Sequence, residues 1–201
     1  MCLRHVGRGS EWCLTSRWRP TPKTGAAHRR DVSRTVRNRP IAIDSMVIYV
    51  GDARDVIKRI RDNHCAGNVE ASALRKHIAV AKGYNIISTR RPSRSTRVRI
   101  DHPASRIGEA KVSEYIRSAE WKYIICNSYE EAHDFQWYVI ETLEPLLNVD
   151  RKPWNTSCIE TYEALLGRLN SYSAFKCSQL RGMPSGSGVY VLYHVLRPHE
   201  G

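Results

Sequence analysis

The sequence lacks any long apolar run. Within its 201 residues, no stretch approaches the roughly 18 consecutive apolar residues that a membrane-spanning helix requires. The opening residues, MCLRHVGRGSEWCLTSR, also lack the apolar centre of a secretory signal peptide. These absences argue against a membrane partner, so we expect a cytoplasmic protein, associated with the nucleoid if the source is bacterial.

Acidic residues are scarce relative to basic ones. Asp and Glu number 20 against 32 Lys and Arg, so the formal net charge is +12 at pH 7. A charge of this size favours an anionic partner, most simply the phosphate backbone of a nucleic acid. A basic protein without such a partner is the alternative that composition leaves open.

Paired cysteine motifs are also missing. The six cysteines include no C-x-x-C, and the chain is long enough to fold without covalent cross-links. We therefore predict free thiols. His64 and Cys65 are followed by His77, but no second ligand pair has zinc spacing, so we expect no zinc site.

The first 45 residues have no helical or alternating apolar pattern. They contain ten basic and three acidic residues, and ten minus three gives +7 of the total charge. Proline-containing stretches such as RPTPKTG interrupt any regular element. We predict a mostly disordered basic arm over 1–45 and one folded domain over 46–201.

Residues from 46 onward alternate between strand and helix patterns. MVIYVG and EWKYIIC are short apolar runs typical of strands, as is the terminal GVYVLYHVL. Helical spacing and capping residues predict helices over 52–63, 72–84, 105–119, 128–144 and 156–170. Ser128 with Glu131, and Ser157 with Glu160, have capping-box spacing.

One segment concentrates arginine. The stretch RRPSRSTRVRI has the composition of an exposed loop or ribbon that contacts phosphates, or of a solvated charge run. Arg75 and His77, on the preceding predicted helix, are further candidates for a basic role. The predicted nucleic-acid-binding residues are Arg75, His77, Arg90, Arg91, Arg94, Arg97 and Arg99.

Two tripeptides, Tyr49-Val50-Gly51 and Gly188-Val189-Tyr190, carry a family resemblance. Together with Arg59, eight residues after Gly51, and the PLLN that ends in Asn148, they resemble the GIY-YIG nucleases. The resemblance implies an α/β domain of α+β type with a small three-stranded antiparallel sheet flanked by helices. Residues 188–196 would lie beside 46–51, then 120–126. Because the first tripeptide of the family comes last here, the chain resembles a circular permutant.

The resemblance also implies a set of catalytic roles. Tyr190 would assist deprotonation of the attacking water, Tyr49 would hydrogen-bond near the phosphate, and Arg59 would supply positive charge. A phenol is a poor base unless nearby charge lowers its pKa, so this reading requires a cationic site around Tyr190. His64 lies five residues beyond Arg59, where some family members have a histidine four residues on.

The metal ligand is where the sequence departs from the family. Family members hold a divalent cation, Mg²⁺ or Mn²⁺, through a glutamate at the position that Gln136 occupies here. An amide brings no charge, which a hard cation prefers to receive from a carboxylate. Glu141, five residues later, would serve only with a displaced metal. Three explanations stay open: the enzyme tolerates the amide, another acid serves as the metal ligand, or catalysis has been lost.

Three functional hypotheses follow. The first is a metal-dependent endonuclease acting on DNA, most simply duplex DNA, of the restriction, mobile-element or repair class. The second is a DNA-binding module that keeps the nuclease fold but turns over weakly or not at all because of Gln136. The third, supported by composition alone, is a protein that binds RNA and uses its tyrosines only for packing.

Overall fold

A computed structural model describes residues 45–101 and 105–195. The predicted basic arm lies outside these residues, apart from Ser45. Within the described residues, no helix is both long and apolar enough to cross a membrane. The described part of the chain forms a central sheet with helices on both faces, which confirms the predicted fold class.

The central sheet has three antiparallel strands. They are β1 (Ser45–Ala53), β4 (Glu120–Ile125) and β5 (Gly188–Val195), and β5 lies between the other two. In the register of this sheet Tyr190 of β5 pairs with Gly51 on one side and with Tyr123 on the other. The predicted order, with 46–51 in the middle, is wrong, because β4 pairs with β5 and makes β5 the middle strand.

One face of the sheet is covered by the segments that follow β1. α1 (Val56–Lys58) continues as a π-helix (Arg59–Cys65), and α2 (Ala73–Ala81) and α3 (Ser105–Ser118) follow. Asp55 and Ser72 cap α1 and α2 by accepting the backbone N–H groups of the third residues beyond them. The sequence predicted a helix that starts earlier and stays α-helical.

The opposite face is covered by α4 (Tyr129–Leu143) and α5 (Ile159–Ser171). Ser128 caps α4 as predicted, and Glu144, with φ of 47°, ends it in a left-handed conformation. The prediction that Ser157 caps α5 is wrong. Asn155 instead accepts the Ser157 N–H and starts a short 3₁₀ turn that leads into α5.

The arginine-rich segment is an antiparallel ribbon of two strands, β2 (Asn85–Arg90) and β3 (Thr96–Asp101). Its inner face is apolar, because Ile100 is 1 % exposed and packs at Gly108 of α3. Arg97 and Arg99 alternate with the inward residues of β3 and point to solvent. The composition indicated this exposed ribbon.

The prediction of free thiols is wrong for two of the cysteines. Cys65, at the end of the π-helix, forms a disulfide with Cys177, which is 112 residues away in the chain. Cys126 and Cys158 are free. Spacing along the sequence could not reveal the pair, because the fold alone brings the two segments together.

Candidate active site

Three aromatic side chains from three elements meet on one face of the sheet. The ring of Tyr49, on β1, lies 6.5 Å from the ring of Tyr190, on β5, and 6.5 Å from that of His64, on the π-helix. The rings of His64 and Tyr190 are 5.2 Å apart. The two tyrosines that the tripeptides singled out are therefore neighbours, as the sequence predicted.

Gly51 makes this arrangement sterically feasible. A Cβ atom at this position would overlap the hydroxyl end of the Tyr190 ring, its direct partner across the strands. The tyrosine can lie across β1 only because residue 51 has no side chain. The second glycine of the two tripeptides, Gly188, is just as constrained, since a Cβ there would overlap the Ile124 carbonyl group.

His64 joins the cluster because its helix is a π-helix. A residue five positions along a π-helix faces almost the same way as one four positions along an α-helix. The extra residue between Arg59 and His64 is thereby absorbed. His64 Nε2 lies 2.8 Å from the Tyr190 hydroxyl and Nδ1 lies 2.8 Å from Ser72 Oγ. Burial, with smaller contributions from Arg59 and Arg75, lowers the pKa of His64 to about 3.

Tyr190 is sealed inside the protein. Its side chain is 1 % exposed, and burial raises its pKa well above 10, although the Arg59 guanidinium opposes that rise. Its hydroxyl contacts His64 Nε2 instead of solvent. The role that the resemblance implied for Tyr190 stays a prediction, and the burial of its side chain argues against direct contact with an attacking water.

Arg59 and Tyr49 form the accessible side of the cluster. Arg59 Nη1 donates to the Ala71 carbonyl at 3.2 Å, and this anchor leaves part of the guanidinium exposed. Burial raises the pKa of Tyr49, and the positive charge of Arg59 partly counteracts it. A phosphate placed at Arg59 would thus also lie near a hydrogen-bonding phenol.

The two basic candidates on α2, Arg75 and His77, have different surroundings. His77 lies beside the cluster, with its ring 6.4 Å from that of Tyr49, and its Nδ1 is buried without a hydrogen-bond partner among the described residues. Arg75 is fully buried and donates to the His64 carbonyl at 2.7 Å and to Glu109 Oε2 at 2.7 Å. The prediction that Arg75 contacts a nucleic acid is wrong, because its guanidinium is buried and already bound to the π-helix and to Glu109.

Asn148 fixes the chain that follows α4 to the free edge of β1. Its side-chain amide accepts the Val50 N–H at 2.9 Å and donates to the Val50 carbonyl at 2.9 Å. The Leu146 and Leu147 N–H groups extend this pairing to the carbonyls of Val47 and Ile48. The asparagine that the sequence linked to the family thus supports the strand that carries Tyr49.

The predicted metal ligands do not make a charged site on α4. Gln136 is 7 % exposed and forms no hydrogen bond with any residue in 45–101 or 105–195. Glu141 Oε2 accepts the Trp154 Nε1–H at 2.7 Å and is exposed. No group of three or more His, Cys, Asp or Glu residues suited to a metal occurs in the described parts of the chain. An uncharged amide alone does not fit a hard dication.

Sequence reasoning missed a carboxylate at the outer end of β1. Asp52 follows Gly51 directly, and its Oδ2 lies 3.0 Å from Nδ1 of His133 on α4. Asp52 also acts on the cluster, because its negative charge adds to the burial that raises the pKa of both Tyr49 and Tyr190. The available signal was its position immediately after the tripeptide.

Comparison with known proteins agrees with this geometry. A sequence model of the GIY-YIG catalytic domain matches residues 20–165, a segment that contains β1, the π-helix and α4 but not β5. No curated protein and no solved structure shows a significant match. Because the matched segment covers more than half of the 201 residues, the chain belongs to the family of the GIY-YIG catalytic domain.

Proposed function

We propose that this protein is a DNA endonuclease that hydrolyses phosphodiester bonds with the help of a divalent cation. The observation that carries the proposal is the convergence of Tyr49, Arg59, His64 and Tyr190 from three separate elements onto one face of the sheet. Membership of a nuclease family supports the reaction class, and members of that family generally depend on divalent metals.

The surroundings of each residue suggest a division of roles. Arg59 would neutralise the charge that develops on the phosphate, and Tyr49 would donate a hydrogen bond to the same group. Tyr190 and His64 would act as positioning residues, because both are buried and hydrogen-bonded to each other. The proton of the attacking water would then pass to a group other than Tyr190.

Supercoiled plasmid provides the functional test. We expect the wild-type protein to convert it to the nicked form in Mg²⁺ or Mn²⁺ and to stop when a chelator removes the cation. A matched reaction with structured RNA distinguishes the two nucleic acids. Cleavage that is unaffected by chelator, or confined to RNA, would contradict the proposal.

Gln136 favours a second candidate function. A buried amide in place of the family's carboxylate is the substitution expected of a binding module that has lost turnover. This alternative predicts duplex binding that weakens with salt, without nicking. Restoration of nicking by Gln136→Glu in an otherwise inactive protein would support it.

The ribbon is the proposed DNA contact surface. The guanidinium of Arg91 is held by the Glu70 carboxylate at 2.9 Å, whereas Arg97 and Arg99 have no ion-pair partner among the described residues. Because each contacted phosphate releases counterions, we expect the double substitution Arg97→Ala with Arg99→Ala to reduce the slope of log affinity against log salt by about 2. Fluorescence anisotropy with duplex DNA measures it.

Arg91→Ala is the matched control, because its charge is already largely neutralised by Glu70. We expect this variant to keep nearly the whole salt slope. An unchanged slope in the double variant would remove the ribbon from the interface.

We also propose that the strand order of this protein is a permutation of the family order. β5 carries the Gly188-Val189-Tyr190 tripeptide and pairs antiparallel with β1, which carries the other tripeptide. In the family these strands are consecutive, whereas here β5 is the last described strand. The pairing supports the proposal, because the two strands form the same ladder in either order.

A further inference from the structure

A pocket separate from the tyrosine cluster lies beside the outer edge of β4. Among the described residues, the one backbone partner of this edge is Phe175, which exchanges hydrogen bonds of 2.8 and 2.9 Å with Trp121. Further along β4, beside residues 123–125, the described part of the chain supplies no partner strand, and the edge borders a cavity of about 400 Å³. Binding sites for small ligands have volumes of this order.

The lining of this pocket is rich in aromatic rings, which come from Tyr123 of β4, Tyr172 at the end of α5, and Phe175. Phe175 is buried, and its ring meets that of Tyr123 edge to face with 5.6 Å between the centroids. The Tyr123 hydroxyl donates to the Pro184 carbonyl at 2.8 Å, which fixes the orientation of its ring. Tyr172 is 41 % exposed, so one ring is open to solvent. Aromatic walls of this kind bind flat ligands by stacking.

The pocket also carries positive charge that no acid neutralises. Arg168 of α5 is exposed, lines the pocket and donates from Nη2 to the Tyr172 hydroxyl at 3.3 Å, and it forms no ion pair with the described residues. Most of the lining comes from residues 164–187, which include Arg168, Lys176 and Arg181 but no Asp or Glu. Aromatic rings beside an unpaired guanidinium favour a ligand that is both flat and anionic.

We propose that this pocket binds one unpaired nucleotide of a DNA strand. The base stacks against the Tyr172 ring at the opening, and the phosphate of the same strand pairs with the Arg168 guanidinium. A paired base does not enter, because its neighbours in the duplex already cover both of its flat faces and unstacking it costs free energy. The inference rests on the proposed function, since that function supplies the DNA strand.

The register of the sheet places this pocket at the level of the candidate active site. Tyr123 pairs with Tyr190, and Tyr190 pairs with Gly51, so the three residues form one row across the sheet. Because neighbouring strands are about 4.8 Å apart, β4 and β1 are separated by about 10 Å, which about three nucleotides of a DNA strand span. One strand is therefore long enough to contact both places.

Fluorescence anisotropy in the presence of a chelator tests the pocket without cleavage. We expect the wild type to bind a duplex that carries one bulged nucleotide about tenfold more tightly than the same duplex fully paired, because a stacked base adds to the affinity. Tyr172→Ala should abolish this preference, whereas the matched control Tyr172→Phe keeps the ring and should retain it. Arg168→Ala, at a second exposed position, should reduce the preference about threefold.

The fully paired duplex serves as the reference for folding, since we expect Tyr172→Ala to bind it like the wild type. Equal binding of the two duplexes by the wild type, or a preference that survives Tyr172→Ala, would overturn the inference. A free mononucleotide that binds as tightly as the bulged duplex would also overturn it. Nicking of plasmid without the preference refutes only the pocket, whereas a preference that depends on Tyr172 in a protein that does not nick refutes only the proposed function.

Discussion

Replacement of Gly188 by alanine should cost the protein about 3 kcal/mol or more of its free energy of unfolding. A Cβ at this position would overlap the backbone carbonyl of Ile124, and neither strand of that pair can withdraw without breaking the β4–β5 ladder. Because β5 is the middle strand, the change would also separate Tyr190 from His64. Chemical denaturation followed by circular dichroism measures the loss.

Gly167→Ala is the control for this substitution. Gly167 is an exposed position in α5, and a Cβ there meets nothing within 4 Å. Alanine is favoured over glycine in a helix, so we expect stabilisation of about 0.5 to 1 kcal/mol. Equal effects of the two substitutions would show that β5 does not pack against β4 as described.

Arg59→Ala should reduce the nicking rate by about 100- to 1000-fold while the protein stays folded. The magnitude is that of removing one preorganised group that stabilises developing charge in a reaction. Arg59 is partly exposed, it donates to the backbone carbonyl of Ala71, and its positive charge also acts on the buried Tyr190. Single-turnover conversion of supercoiled plasmid gives the rate.

Arg61→Ala is the matched control for Arg59→Ala. Arg61 lies on the same π-helix, is exposed and pairs with the neighbouring Asp62. It should nick at nearly the wild-type rate, because an exposed ion pair contributes little and the residue does not face the tyrosines. If both variants were equally impaired, the charge of the helix as a whole would matter, and the specific role of Arg59 would be refuted.

Local patterns predicted most of the fold. The apolar runs placed β1, β4 and β5, and the Ser128 cap placed the start of α4, because these features depend on residues near each other in the chain. The composition of the arginine-rich segment indicated an exposed loop or ribbon, although it did not predict the two strands. The resemblance then predicted that the two tyrosines meet.

Long-range packing accounts for what the sequence did not reveal. The Tyr190–His64 hydrogen bond joins residues 126 apart in the chain, the disulfide joins residues 112 apart, and the Asp52–His133 contact joins residues 81 apart. Arg75 was predicted to contact a nucleic acid, which requires an exposed guanidinium. Its burial depends on Glu109 of α3, which no local pattern associates with it.

Burial of His64 also makes stability depend on pH. The folded pKa of His64 is about 3, below the ordinary 6.5, so the unfolded chain binds a proton more readily than the folded one. The contribution of His64 to stability is therefore complete above about pH 6.5 and is lost as the pH falls from there towards 3. Other groups that titrate in acid add to this loss.

The central claim is that β5 lies between β1 and β4 and brings the Tyr190 hydroxyl onto His64. Long-range ¹H–¹⁵N NMR of the His64 ring, recorded from pH 8 to pH 5, tests it most directly. We predict a neutral ring whose nitrogen shifts stay constant through this range. A ring that titrates near pH 6.5, as an exposed histidine does, would show that the buried pair does not form.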